Sequence, residues 1–239
     1  MDNSQTYNVL YQKKQILISN LARSISFVYF WMALGLLVTF GIADYVWQTP
    51  SIFHAILGNN YIFYSLLILQ LATIFIFRST YRNSGFLLAF LMYFTYSALA
   101  GLTLSVFFYI YQLNSVIYIL SGTTFAFVCL SIFGYFTNID LKSVGTFCLA
   151  GLCGLIGFYL SVILFRIFFD IYLTDINNIL INIFGVIIFS GLTAYDVQVI
   201  KRKIPDQISL TESINYALLL YLDFLNLFLK LLQLFGKQR

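Results

Sequence analysis

The sequence predicts an all-α membrane protein, a bundle of seven transmembrane helices, and three observations carry that expectation. Of 239 residues, 61% are hydrophobic and only 9% charged, against roughly 45 to 50% and 25% in an ordinary soluble domain. The apolar residues form long unbroken runs instead of alternating with polar ones, which favours spanning helices over a transmembrane barrel. Seven runs approach or exceed the about 20 residues that a helix needs to cross the hydrocarbon core, at 24–43, 61–77, 86–110, 116–135, 146–165, 176–200 and 214–234.

Residues 1–23 are polar and precede the first run without a small-residue cleavage motif, so they read as a cytoplasmic segment ahead of a retained first span, with 24–239 as one seven-helix domain. Pro50 and Pro205 fall in the first and sixth connections, so no span needs a proline kink. In the third span Ser97, Gly101 and Ser105 recur every fourth residue, and the fifth carries Ala150, Gly154, Gly157 and Ser161. Small residues at such spacings let helix backbones approach closely in lipid, so both sets read as packing faces. Cys129, Cys148 and Cys153 all lie within apolar runs; they imply neither a disulfide framework nor a metal site.

The net charge of +4 is spread between the runs rather than gathered into a patch, which excludes a nucleic-acid surface. Instead it encodes topology. The N-terminal segment and the second, fourth and sixth connections carry Lys13, Lys14, Arg23, Arg78, Arg82, Lys142, Lys201, Arg202 and Lys203, whereas the odd connections carry Arg166 alone. That asymmetry places the N-terminus in the cytoplasm. Seven crossings then put the C-terminus outside, against the pull of Lys237 and Arg239 in the tail.

Most of the nine acidic residues lie in ends or connections, but Asp196 and Asp223 lie inside spans. Asp196 precedes the basic cluster at Lys201 by about 7 Å of helix rise, and Asp223 lies about 13 Å into the last span. An aspartate at such depth costs about 2.5 to 3.5 kcal/mol unless it faces protein or water. The last two spans share a short connection and are expected to be antiparallel neighbours, so a facing pair is expected. Two such carboxyls cannot both ionise cheaply; they titrate in coupled steps and form a proton sensor. Ionised, they offer hard oxygens to a cation such as calcium. Tyr216, Asp223, Asn226, Lys230 and Gln233 fall along one stripe of the last helix, which should point into the bundle. Within that stripe, interhelical hydrogen bonding by Asn226 and Gln233 and snorkelling of Lys230 to the interface are the ordinary structural readings.

At these residues the sequence resembles the Bax inhibitor family of transmembrane proteins. The resemblance rests on Gly191-Leu192-Thr193-Ala194-Tyr195-Asp196-Val197-Gln198 with Ile200-Lys201, and on the run Tyr221 to Leu229 around Asp223 and Asn226. Gly101-Leu102-Thr103-Leu104-Ser105 and Phe133-Gly134-Tyr135-Phe136-Thr137, running on to Asp140-Leu141, extend it. It implies a bundle with the last helix central, a pH-sensitive calcium leak, and Asp196 and Asp223 as the proton-sensing pair and metal ligands. It further implies no enzymatic activity and no bound cofactor, calcium being the transported ion. The bacterial cytoplasmic membrane is favoured over the endoplasmic reticulum. Many members carry a glutamate in the second span and an arginine ten residues after the last-helix aspartate. Here those positions look like Gln70 and Gln233, which can hydrogen-bond but not titrate. Arg82, and behind it Arg78, stand at the cytoplasmic end of the second span as candidate ion-pair partners of Asp223.

Besides the leak, the resemblance admits a non-conducting interaction protein that modulates a membrane protease or a cell-death pathway. Lys230 in the seventh span raises a retinal-binding receptor, disfavoured because the third span has no acid. The two aspartates raise an intramembrane protease, disfavoured by the motif around Asp196.

Overall fold

The computed structural model describes residues 3–58, 60–81, 85–169, 175–203 and 209–239. It consists of α1 (Asn3–Gln48), α2 (Pro50–Leu57), α3 (Asn60–Thr80), α4 (Phe86–Ile110), α5 (Leu113–Phe136), α6 (Lys142–Phe169), α7 (Asp175–Lys203) and α8 (Leu210–Phe235). Every one except α2 contains a segment long and apolar enough to cross a membrane, so the all-α seven-span expectation holds. α8 is the most deeply buried of the spans and α7 the next, the burial expected of a helix surrounded by others.

The expectation misses two elements. Instead of a separate polar segment, α1 runs unbroken from Asn3 into the span Ala22–Gln48, because the chain meets no glycine or proline before Gly35. The first connection folds into α2. Pro50 opens it, where a missing N–H removes no helical bond, and the Gly58 N–H closes it on the His54 carbonyl. The apolar side chains Val46, Phe53 and Ile56 then cluster with Ile42, Leu66 and Leu102.

The chain divides into two compact units, Met1–Ser105 with Val199–Leu219, and Val106–Gln198 with Leu220–Arg239. In the first, α1 and α4 meet along a seam of small residues. The Tyr93 hydroxyl donates to the Trp31 carbonyl at 2.9 Å and lies where a side chain on Gly35 would sit. The Thr39 hydroxyl reaches the Ser97 carbonyl at 2.9 Å, and Gly101 lies against the Thr39 backbone and Ile42. Ser97, Gly101 and Ser105 are all buried, as their spacing predicts. α8 starts on a reciprocal cap. The Ser209 hydroxyl accepts from the Glu212 N–H at 3.1 Å, while the Glu212 carboxylate accepts from the Ser209 N–H at 3.0 Å.

In the second unit α6 packs through a different face from the expected one. Gly154 and Gly157 have open space beside them and Ala150 is exposed. Gly145, Cys148 and Gly151 make the contacts instead, against Tyr195, Gly191 and Ile188 respectively. Beyond α8, Gln238 forms an antiparallel bridge with Tyr111. The Gln112 N–H donates to the Lys237 carbonyl at 2.9 Å, the Arg239 N–H to the Ile110 carbonyl at 3.0 Å, and the Lys237 N–H to the Ser115 hydroxyl at 3.0 Å. The tail therefore lies beside the connection between α4 and α5.

Candidate functional site

The site is built where α7 loses bulk on the sides it shares with its neighbours. Gly134 of α5 lies directly on the Ala194 backbone, so a side chain there has no room. Gly145 of α6 lies under the Tyr195 ring, and Gly191 of α7 under the Cys148 sulfur. The two stretches Phe133-Gly134-Tyr135 and Gly191 to Asp196 are thus in backbone contact. Just beyond, the Gln198 amide clamps the connection between α5 and α6. Its Nε2 donates to the Ile139 carbonyl at 2.7 Å and its Oε1 accepts from the Leu141 N–H at 2.9 Å.

Asp196 and Asp223 belong to this one unit. Leu192 of α7 and Leu227 of α8 share one apolar cluster with Cys148, Ile188 and Phe189. Asp196 is one helical turn from Leu192 and Asp223 one turn from Leu227, so each acid stands on the face that its leucine presents to the cluster. The helices run in opposite senses, and the two one-turn displacements point toward the same end of the spans. Both acid-bearing turns therefore adjoin the cluster on the same side of it. Asp223 is buried and Asp196 half-buried. Asp223 is also within electrostatic reach of the Cys148 thiol, and its neighbour Phe224 packs edge-on against Phe127 with centroids 5.4 Å apart. Among the described residues no three His, Cys, Asp or Glu side chains converge. A cation held by the two aspartates would need the rest of its shell from carbonyls and water.

The remaining stripe residues separate. Asn226 donates to the Leu222 carbonyl of its own helix at 2.8 Å rather than across helices. Tyr216 is half-buried in the other unit, and Gln233 is exposed. Gln70 is half-buried, with the Thr103 hydroxyl 3.5 Å from its Oε1. Arg78 is exposed in the last turn of α3, and Arg82 lies outside the described residues.

Lys230 departs most from its sequence reading. It does not snorkel but is buried, its ammonium donating to the Tyr159 hydroxyl at 2.6 Å and to Asn182 Oδ1 at 3.2 Å. The reading missed Tyr159, Asn182 and the Gln198 clamp. A glycine facing a long side chain, Gly185 under the Lys230 stem, is the only signal that pointed to this pocket, and it is invisible without the helix register.

The family model described as "Inhibitor of apoptosis-promoting Bax1" matches residues 21–239. An uncharacterized protein of Borreliella burgdorferi is 33% identical over 233 residues, covering 95% of this chain and 97% of that one. The inner membrane protein YbhL of Escherichia coli is 33% identical over 219 residues, covering 89% and 90%. A Deinococcus radiodurans protein is 31% identical over 210 residues, covering 86% and 87%.

Proposed function

Because the chain belongs to the Bax inhibitor family, we propose that it is a pH-sensitive cation leak whose cargo is calcium and whose gate is the protonation of Asp196 and Asp223. The observation that supports this reading is that Leu192 and Leu227, each one turn from an acid, share one apolar cluster. In such surroundings two nearby carboxyls titrate as a coupled pair. Protonated, they offer a cation no charge; ionised, they offer oxygens of the hardness that calcium prefers. Protons and calcium therefore compete, and acidification lowers cation occupancy of the pair. Placement in a bacterial cytoplasmic membrane, N-terminus inside, is supported by the relative named an inner membrane protein and by the basic even-numbered connections.

The test is calcium flux into vesicles reconstituted with the full chain, across a pH series. Wild type should show a pH-dependent leak, and Asp196→Asn and Asp223→Asn should each flatten that dependence. Wild-type vesicles no leakier than empty ones would reject the leak, and an unchanged profile in Asp223→Asn would reject the gate.

A further inference from the structure

The Lys230 cluster lies outside the aspartate site and calls for a different ligand. The ammonium is held by Tyr159 and Asn182 and stands 4.8 Å over the Tyr159 ring. The pocket is shaped for the stem, since a Cβ on Gly185 would collide with Lys230 Cδ and Cε. Both oxygens facing the ammonium are neutral, and among the described residues no carboxylate lies within ion-pair distance of it. A charge at this depth is expensive without an anion.

The missing acceptor has a definite position. An ammonium only donates, so the Tyr159 oxygen accepts from it and keeps its own O–H for a further partner. No described residue takes that hydrogen bond. Tyr159 is 36% exposed, whereas Lys230 and Asn182 are 8% and 6% exposed, so of the three the tyrosine reaches the surface. Ile156, Phe158 and Leu160 beside it are exposed apolar residues, which makes the opening lipid-facing. Counted from the ends of the apolar runs at 165, 176 and 234, Tyr159 is six residues in, Asn182 six and Lys230 four. All three count from one membrane face and give a depth of about 6 to 9 Å, within reach of the headgroup boundary.

We propose that this cluster binds the phosphodiester of an anionic glycerophospholipid, a phosphoryl oxygen accepting from the Tyr159 O–H and the headgroup charge compensating Lys230. The ammonium polarises the phenol and makes it a strong donor. A net negative lipid fits better than a zwitterionic one, whose own cation leaves the lysine uncompensated.

The experiment is thermal unfolding of the full chain in detergent, titrated with phosphatidylglycerol, phosphatidylcholine or inorganic phosphate. Phosphatidylglycerol should raise the midpoint saturably by about 5 °C, phosphatidylcholine by much less, and phosphate not at all. Lys230→Met should abolish the phosphatidylglycerol increment. Tyr159→Phe should remove most of it. Equal stabilisation by both lipids overturns the proposal. So does an effect reproduced by phosphate alone, or an undiminished increment in Tyr159→Phe.

Discussion

Gln198 shows how one side chain can hold a connection that has no regular structure of its own. Its amide answers both the Ile139 carbonyl and the Leu141 N–H, and Gln198 is itself buried. Gln198→Ala removes both partners at once. Leaving buried backbone groups unsatisfied costs about 1 to 3 kcal/mol, so the variant should melt several degrees lower, with faster amide exchange over 139–141 in hydrogen-exchange mass spectrometry. Unchanged exchange there would show that the clamp is idle. Asp196 and Asp223 were legible in the sequence because a carboxyl within an apolar run has no inexpensive explanation. Gln198, Tyr159 and Asn182 were not, because uncharged polar residues in spans are common and their partners lie 48 to 71 residues away in sequence. Lys230 was misread for a related reason. Its nearness to the helix end made the interface the obvious destination, and only the groove over Gly185 offers the inward one.

Among the elements, α6 and the C-terminal tail show what periodicity does and does not reveal. Small residues recur along α6 on more than one face, and spacing alone does not say which face meets a neighbour; Gly145, Cys148 and Gly151 do, whereas Gly154 and Gly157 do not. In α4 the same kind of spacing gave the right face, since Ser97 and Gly101 line the seam with α1 and Ser105 is buried with them. The tail carries no pattern at all, only four residues after α8, yet its backbone pairs with 110–115. Removing residues 237–239 should lower the melting point by a few degrees and speed exchange over 110–115, leaving other segments unchanged. The pairing also has a pH signature. Burial raises the Tyr111 phenol above its ordinary value, with the Gln238 hydrogen bond pulling partly the other way. The folded state therefore favours the neutral phenol, so its contribution is complete below the ordinary phenol pKa near 10 and is lost as the pH rises past the folded value. Melting points measured between pH 8 and pH 11 should fall less steeply for Tyr111→Phe than for wild type.

At the scale of the whole molecule, the seven spans fix how many faces each connection can reach. A chain that crosses seven times leaves its two ends on opposite faces, and the odd-numbered connections share the face of the C-terminus. The tail's hydrogen bonds to the connection between α4 and α5 meet that requirement, because this is the third connection. On the orientation proposed above, the nine basic residues of the N-terminal segment and the even connections put the face opposite the tail in the cytoplasm. The native cysteines lie within spans, Cys129 and Cys153 on exposed faces and Cys148 buried, so a membrane-impermeant maleimide should leave them unlabelled. Against that blank background, Asn114→Cys and Gln238→Cys should both react in intact cells, and Lys203→Cys only after permeabilisation. Labelling of Asn114→Cys without Gln238→Cys would show that the last helix does not cross. Labelling of Lys203→Cys in intact cells, with the other two silent, would invert the whole bundle and put the Asp196 end on the outer face.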